Sequence, residues 1–500
     1  MGEDGLVELT IKPLIDTQID TLYWQLGTDV ADGYPSHRLS DVYSHRTAVG
    51  PIFGRDTEVF ETAGLWRMHR NTQELFERGT DAPAVVIKHG HEAGLDVFLS
   101  LRMNDTHDYM LRMLDHPMVS PMKRKHPEWL LPSFENDCGR LFYDYRVAEV
   151  RAYKLALIRE AIENYDLDGL DLDFCRHPRL FDTGEGEKNA HLITQVVRDV
   201  REILDRKSKA VGRKLELSVR VPPTFAIALA FGIDVGTWVE EGLLDILIVG
   251  AVKEAAAHRL PVEEYVNAAR DKGIKVLAQC LGGSHKYNPA KSAGPLWHEP
   301  PGFSNEMYRA SAATYWQAGV DGLYLWNSHL YAVQCAAYYD YRPWYELGDP
   351  VSLASLDKHY VVDDRRALRG AGTQVGSKTV PDPQIPVDLA RPGDSADIVF
   401  DIADEPDGGV GRTRPRDATL RLMIRQHTSL DELTVELNDR RLDWSSGCRR
   451  LFYNESWIDF AVESALKNGW NRLRIKLKSR NQYVKCPLTL ERVEVIVRYQ

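Results

Sequence analysis

The sequence predicts an α/β fold class, a (β/α)8 TIM barrel with a C-terminal β-sandwich domain. Three observations carry this. Between about residues 19 and 330, short β-rich runs alternate with longer helical ones. The joints from helix to following strand repeat one glycine-containing punctuation. Beyond residue 389 the apolar period changes to two.

Eight β-rich runs are present: Ile19 to Leu26, Leu95 to Leu101, Leu141 to Tyr145, Gly169 to Phe174, Leu215 to Val221, Leu244 to Val249, Ile274 to Cys280 and Gly322 to Trp326. Apolar residues at three- and four-residue spacing mark helices over Val147 to Asn164, Asn189 to Lys207, Val262 to Lys272 and Asn305 to Ala318. Eight runs separated by helices favour a closed barrel over an open doubly wound sheet. The joints read Ala93-Gly94-Leu95, Leu167-Asp168-Gly169, Lys272-Gly273-Ile274 and Gly319-Val320-Asp321-Gly322. Glycine suits them because the residue after a helix often needs positive φ. Long irregular stretches follow the first, second and seventh runs (27–65, 104–136 and 281–303), at the face where barrels bind ligands. The barrel is thus expected over residues 1–335, a trailing segment and linker over 336–388, and the sandwich over 389–500. The sandwich strands are expected at Ala396 to Phe400, Thr419 to Ile424, Glu432 to Leu437, Trp457 to Val462, Asn471 to Leu477 and Val493 to Tyr499.

A chain of 500 residues exceeds what one hydrophobic core usually serves, in keeping with more than one domain. The formal charge of −11 argues against a nucleic-acid surface, so an anionic substrate would have to be met by a few local arginines. No stretch reaches the roughly 20 apolar residues that span a bilayer, and Met1-Gly2-Glu3-Asp4 does not open an export signal. The chain is expected to be soluble, in the cytoplasm or exported with a signal already removed. The six cysteines show no CxxC spacing, and no His/Asp set has metal-ligand spacing. Neither a metal nor a cofactor is expected, and a homodimer stays open.

Three strand ends carry chemistry. The second run stops in Arg102-Met103-Asn104-Asp105-Thr106-His107, a dense polar cluster directly after the apolar Val97-Phe98-Leu99. There a guanidinium can hold a carboxylate and an imidazole can act as base, with Asp105 close enough to orient His107. The fourth reads Asp171-Leu172-Asp173-Phe174-Cys175-Arg176, and period two puts Asp171 and Asp173 on one face. Two inward carboxylates need hydrogen bonds or a cation, and Arg176 is the nearby candidate. The eighth ends in Trp326-Asn327, an aromatic face and an amide that suit a sugar ring. The fifth run ends at Arg220.

These motifs, Arg102 to Asp108, Asp168 to Pro178 and Trp326-Asn327, resemble the glycosyl-hydrolase-like 10 group of barrel proteins. Within that group they look most like the inverting exo-sialidases of glycoside hydrolase family 156. The resemblance implies that His107 is a base acting on water and Asp105 its orienter. It also implies that Arg102 and Arg176 clamp a sialic-acid carboxylate, with Asn327 as a further ligand. Asp29 and His37, after the first run, are candidates for the remaining polar groups, including a catalytic acid. Asn104, Asp171, Asp173 and Trp326 complete the expected substrate-binding set. The sequence departs from the chitinase-like DGxDxDxE pattern, because Cys175 stands where its terminal glutamate would be. The implied partner is a carbohydrate with an acidic sugar. Two other readings remain: an exo-glycosidase on a neutral or sulfated polysaccharide, and a barrel that binds carbohydrate without turning it over.

Overall fold

The computed structural model describes residues 2–26, 70–71, 74–75, 77–104, 106, 121–132, 141–175, 178–250, 259–280, 304–326, 341–362, 384–405 and 413–499. Among them, seven strands form one sheet in chain order: β1 (Thr21–Gln25), β2 (Asp96–Arg102), β3 (Gly169–Asp173), β4 (Glu216–Val221), β5 (Ile246–Val249), β6 (Lys275–Cys280) and β7 (Gly322–Leu325). The pairs from β1 to β5 are parallel. This is the barrel-type α/β sheet the alternating pattern predicts, with helices such as Ala148–Asn164 and Gly186–Val211 between the strands.

One of the eight expected runs is not a strand of this sheet. Leu141 to Tyr145 forms only an isolated antiparallel bridge, Leu130 to Tyr143, and β2 pairs directly with β3. The reason lies in its local backbone bonds: Leu131 N–H donates to Phe142 O and Asp144 N–H to Trp129 O. Phe142, Tyr143 and Tyr145 are all buried, so the segment is as apolar in its surroundings as the inner strands and differs from them in its backbone pairing.

The starts of the strands are fastened by aspartates. Asp168, just before β3, accepts Val97 N–H at 2.7 Å, His91 Nε2 at 2.8 Å and Arg213 Nη1 at 2.9 Å. Asp245, just before β5, repeats the device on Leu217 N–H at 2.8 Å and Arg201 Nη1 at 2.7 Å. Each carboxylate thereby satisfies a donor at the start of the neighbouring strand. Gly94 and Gly273 take the positive φ expected at their joints. Gly169 serves a different purpose, because a Cβ there would lie 2.1 Å from Phe98 Cε1. Its missing side chain makes room for Phe98, which stacks on Tyr23 at 4.9 Å between centroids.

The described chain divides into two compact units. The first runs through β5 into β6; the second takes the end of β6, β7 and everything from β8 onward, apart from one short segment. In the second, β8 (Lys358–Val361) and β9 (Val387–Leu389) precede β10 (Ser395–Ile402), β11 (Asp417–Arg425), β12 (Glu432–Leu437), β13 (Arg440–Leu442), β14 (Cys448–Phe452), β15 (Glu455–Ala461), β16 (Gly469–Ser479) and β17 (Leu488–Arg498). One sheet has the order β10-β16-β12-β13; the other has β14-β15-β11-β17-β8, with β9 also on β17. Inward residues of both sheets, among them Ile398, Leu420, Val435, Leu473 and Val495, share one core, as the period-two pattern predicts.

The segment expected as trailing text and linker therefore supplies two strands. Its attachment is electrostatic as well as apolar. Lys358 Nζ, 1% exposed, donates to Asp404 Oδ1 at 2.8 Å, and Tyr360 OH donates to Asp404 Oδ2 at 2.6 Å. Tyr499 OH donates to the same carboxylate at 2.8 Å, so this buried charge is well satisfied. Among the described residues, no helix is long and apolar enough to cross a membrane.

Candidate functional site

The C-terminal ends of β2, β3 and β4 carry matching pairs. β2 offers Ser100-x-Arg102, β3 Asp171-x-Asp173 and β4 Ser218-x-Arg220. Register aligns them in two rows: Ser100 beside Asp171 beside Ser218, and Arg102 beside Asp173 beside Arg220. Alternation along a strand puts both rows on one face.

The upper row contains a buried ion pair. Arg220 Nη1 donates to both oxygens of Asp173, at 3.0 and 2.9 Å, with Arg220 fully buried and Asp173 4% exposed. Cys175 N–H donates to Asp173 Oδ1 at 2.9 Å. Backbone bonds lock the row on both sides, from Met103 N–H to Asp173 O and from Phe174 N–H to Arg220 O. Arg220 thus serves as a cation for Asp173, and it is buried. Arg102 lies in the same row and is partly exposed. Desolvating the Arg220 guanidinium is costly, and its contact with the Asp173 carboxylate offsets that cost.

In the lower row, Asp171 is fully buried. Ser100 Oγ donates to its Oδ2 at 2.6 Å and Ser218 Oγ to its Oδ1 at 3.1 Å. Tyr23 OH reaches Ser218 Oγ at 3.5 Å, which extends the polar row to β1. Burial, reinforced by the charge of Asp173, pushes the Asp171 carboxyl up to about 7 against the pull of Ser100, Arg220 and Ser218. Burial also raises the Cys175 thiol, which keeps it protonated and a poor nucleophile.

Asn104, expected among the substrate contacts, is buried and bonded to backbone. Its Oδ1 accepts Tyr143 N–H at 2.9 Å, and its Nδ2 donates to Tyr143 O at 3.0 Å and Arg179 O at 2.6 Å. Both amide protons are spent on backbone, so the residue ties the end of β2 to the segments around Tyr143 and Arg179. Tyr143 in turn receives the buried ammonium groups of Lys123 and Lys154, each 5.2 Å from its ring centroid. Trp326, directly after β7, is 5% exposed, so its ring is buried and not an open stacking face. Asp29, His37, Asp105, His107, Arg176 and Asn327 lie outside the described residues.

Sequence reasoning passed over Ser100 and Ser218 and noted Arg220 without giving it a role. Their signal was present: a small polar residue two before an arginine, in two otherwise apolar strands, matched to the Asp-x-Asp between them. A depression of about 720 Å³ elsewhere in this unit is lined by Arg201, Asp205, Arg213, Lys214, Glu241 and Asp245 among others. Its charges pair with one another or with neighbours, as in Arg201–Asp245, Lys214–Asp245 and Arg198–Glu241, so it reads as structural. Among the described residues, no group of three His, Cys, Asp or Glu side chains could hold a metal ion.

No protein-family model matches this chain, and no curated protein does. Solved structures overlap it loosely. A GH36 α-galactosidase of Geobacillus stearothermophilus has 11% identity and a TM-score of 0.36 over 95% of this chain and 54% of its own. A cycloisomaltooligosaccharide glucanotransferase of a Paenibacillus species has 9% identity and a TM-score of 0.27 over 95% of this chain and 57% of its own. An α-amylase of Geobacillus thermoleovorans has 13% identity and a TM-score of 0.32 over 80% and 81%. This chain spans a little over half the length of the first two. Overlaps this loose, at these identities, say nothing about substrate.

Proposed function

We propose that this protein is a glycoside hydrolase acting on an acidic sugar, in its finer form an inverting exo-sialidase. The observation that carries the proposal is the row Arg102–Asp173–Arg220 at the strand ends, in which Arg220 is paired with the buried Asp173 carboxylate and Arg102 stands beside it in register, partly exposed. Barrel enzymes bind their ligands at this end of the strands, and a guanidinium there suits a sugar carboxylate. Arg102 makes the carboxylate contact, joined by Arg176 and Asn327. His107, oriented by Asp105, takes a proton from water, and the hydroxide attacks the anomeric carbon while Asp29 protonates the leaving oxygen; His37 adds a polar contact. Direct displacement of this kind inverts the anomeric centre.

The test is release of free sugar by the full chain from sialosides of several linkages, beside aryl glycosides of neutral and sulfated sugars. Sialic acid is expected from at least one sialoside, appearing first as the inverted anomer by proton NMR. His107→Ala should lower turnover about two to four orders of magnitude. Turnover of neutral or sulfated glycosides alone would replace the acidic-sugar reading with another exo-glycosidase. Binding without turnover would leave a carbohydrate-binding barrel.

A further inference from the structure

Period two sorts the side chains of β16 into two sets. Asn471, Leu473, Ile475 and Leu477 are buried, and Trp470, Arg472, Arg474, Lys476 and Lys478 stand on the opposite, outward face. At about 3.3 Å per residue the outward row runs roughly 26 Å, longer than one sugar ring and suited to a chain of several.

Trp470 begins the row and is held in place. It lies opposite Asp401 on β10. Arg259, in the same compact unit, pairs through Nε with Asp401 Oδ2 at 3.2 Å and lays its guanidinium 5.0 Å from the Trp470 ring centroid. Both charged side chains are largely buried, yet Trp470 is 58% exposed. The indole thus rests on a fixed cation, which lowers the entropy cost of ordering the ring, and still meets solvent.

The middle of the row mixes signs. Asp397 on β10 accepts Arg472 Nε at 3.0 Å, and Arg474 Nε and Nη2 at 2.9 and 3.2 Å. Both Nη groups of Arg472 and Nη1 of Arg474 keep their protons free of hydrogen bonds among the described residues. Glu436 on β12 stands level with Arg474. At the far end Lys476 lies between Ser395 and Thr434, and Glu432 is level with Ser479. The Lys476 and Lys478 ammonium groups enter no hydrogen bond or ion pair among the described residues.

The face therefore offers an aromatic platform, carboxylates that accept hydroxyl protons, and cation donors in fork and point form. A polymer whose units carry a ring face, hydroxyls and negative groups can use all three. A single-stranded nucleic acid fits less well: it stacks base after base where the row has one aromatic, and its phosphates would run past Asp397 and Glu436. We propose that the outward face of β16 is a binding site for an anionic glycan chain bearing carboxylates or sulfates. The site belongs to the sandwich in its own right and does not depend on what the barrel strand ends bind.

The experiment is affinity electrophoresis of the full chain through gels cast with polygalacturonate, dextran sulfate or neutral dextran. The native chain should be retarded by one or both anionic polymers, which separates carboxylate from sulfate, and should pass dextran freely. Raising salt from about 50 to about 300 mM should weaken the retardation. Trp470→Ala should lower affinity roughly three- to tenfold, and Trp470→Phe should keep most of it. Lys476→Gln with Lys478→Gln should lower affinity by roughly the same factor and flatten the salt dependence, and these exposed changes test the site even if the tryptophan variant fails to fold. No retardation by either anionic polymer, equal retardation by dextran, or native affinity in the folded variants overturns the proposal. Tighter binding of an oligodeoxythymidylate, added as competitor, also overturns it and assigns the face to nucleic acid.

Discussion

Replacing Asp171 with Asn should stabilise the first unit, and only at neutral and alkaline pH. The carboxyl is fully buried, and its pKa rises from 3.8 to about 7. The unfolded chain releases this proton near pH 4, whereas the folded chain holds it to about 7. The folded state therefore binds more protons across that window. The contribution to stability is whole below about pH 4, declines as pH rises, and is fully lost above about 7. Roughly three units at about 1.4 kcal/mol each put the maximum loss near 4 kcal/mol.

Asparagine nearly preserves the shape, can accept from one serine and donate to the other, and never ionises. The variant should match the native chain at about pH 4 and exceed it by up to a few kcal/mol at about pH 8. Because two compact units do not guarantee one cooperative transition, the readout should be local. Hydrogen exchange of the peptide spanning Gly169–Asp173, followed at both pH values with the intrinsic rate divided out, supplies it. A difference between the two chains that is the same at both pH values, or larger at low pH, would refute the reasoning.

Removing Arg220 strips the buried Asp173 carboxylate of its ion pair, so Arg220→Leu should cost about 3 to 5 kcal/mol in chemical denaturation. The double variant with Asp173→Leu should recover much of that loss, and no recovery would mean the pair is not the source. Gly169→Ala puts a methyl 2.1 Å from Phe98 Cε1 and should destabilise by about 1 to 3 kcal/mol; Phe98→Leu in the same chain should ease the cost. In the sandwich, Asp404→Leu strands the 1%-exposed Lys358 ammonium and should lower the stability of that unit by about 3 to 5 kcal/mol. Exchange at β8 should report the loss, whereas exchange at β3 should not change.

Much of the architecture could be read from the residues in order. Strand faces follow from period two and helices from three- and four-residue spacing, so seven of the eight β-rich runs and the six sandwich runs appear as strands. These are local properties: a side chain two places along a strand must point the same way, whatever the strand pairs with. Asp171 and Asp173 on one face were legible for that reason. Tertiary structure alone decided the neighbours. Leu141 to Tyr145 is as apolar as a strand, yet its backbone groups are taken up by Trp129 and Leu131, and only the folded chain shows that. Likewise, sequence proximity pointed only to Arg176 as a cation for Asp173, and register brings up Arg220, forty-seven residues away along the chain. Asn104 looked like one more polar group at a strand end until the fold spent its amide on the backbone of Tyr143 and Arg179. Which way a side chain faces is settled within a few residues; which partner it meets depends on register between strands distant in the chain, and that is fixed by packing the whole core.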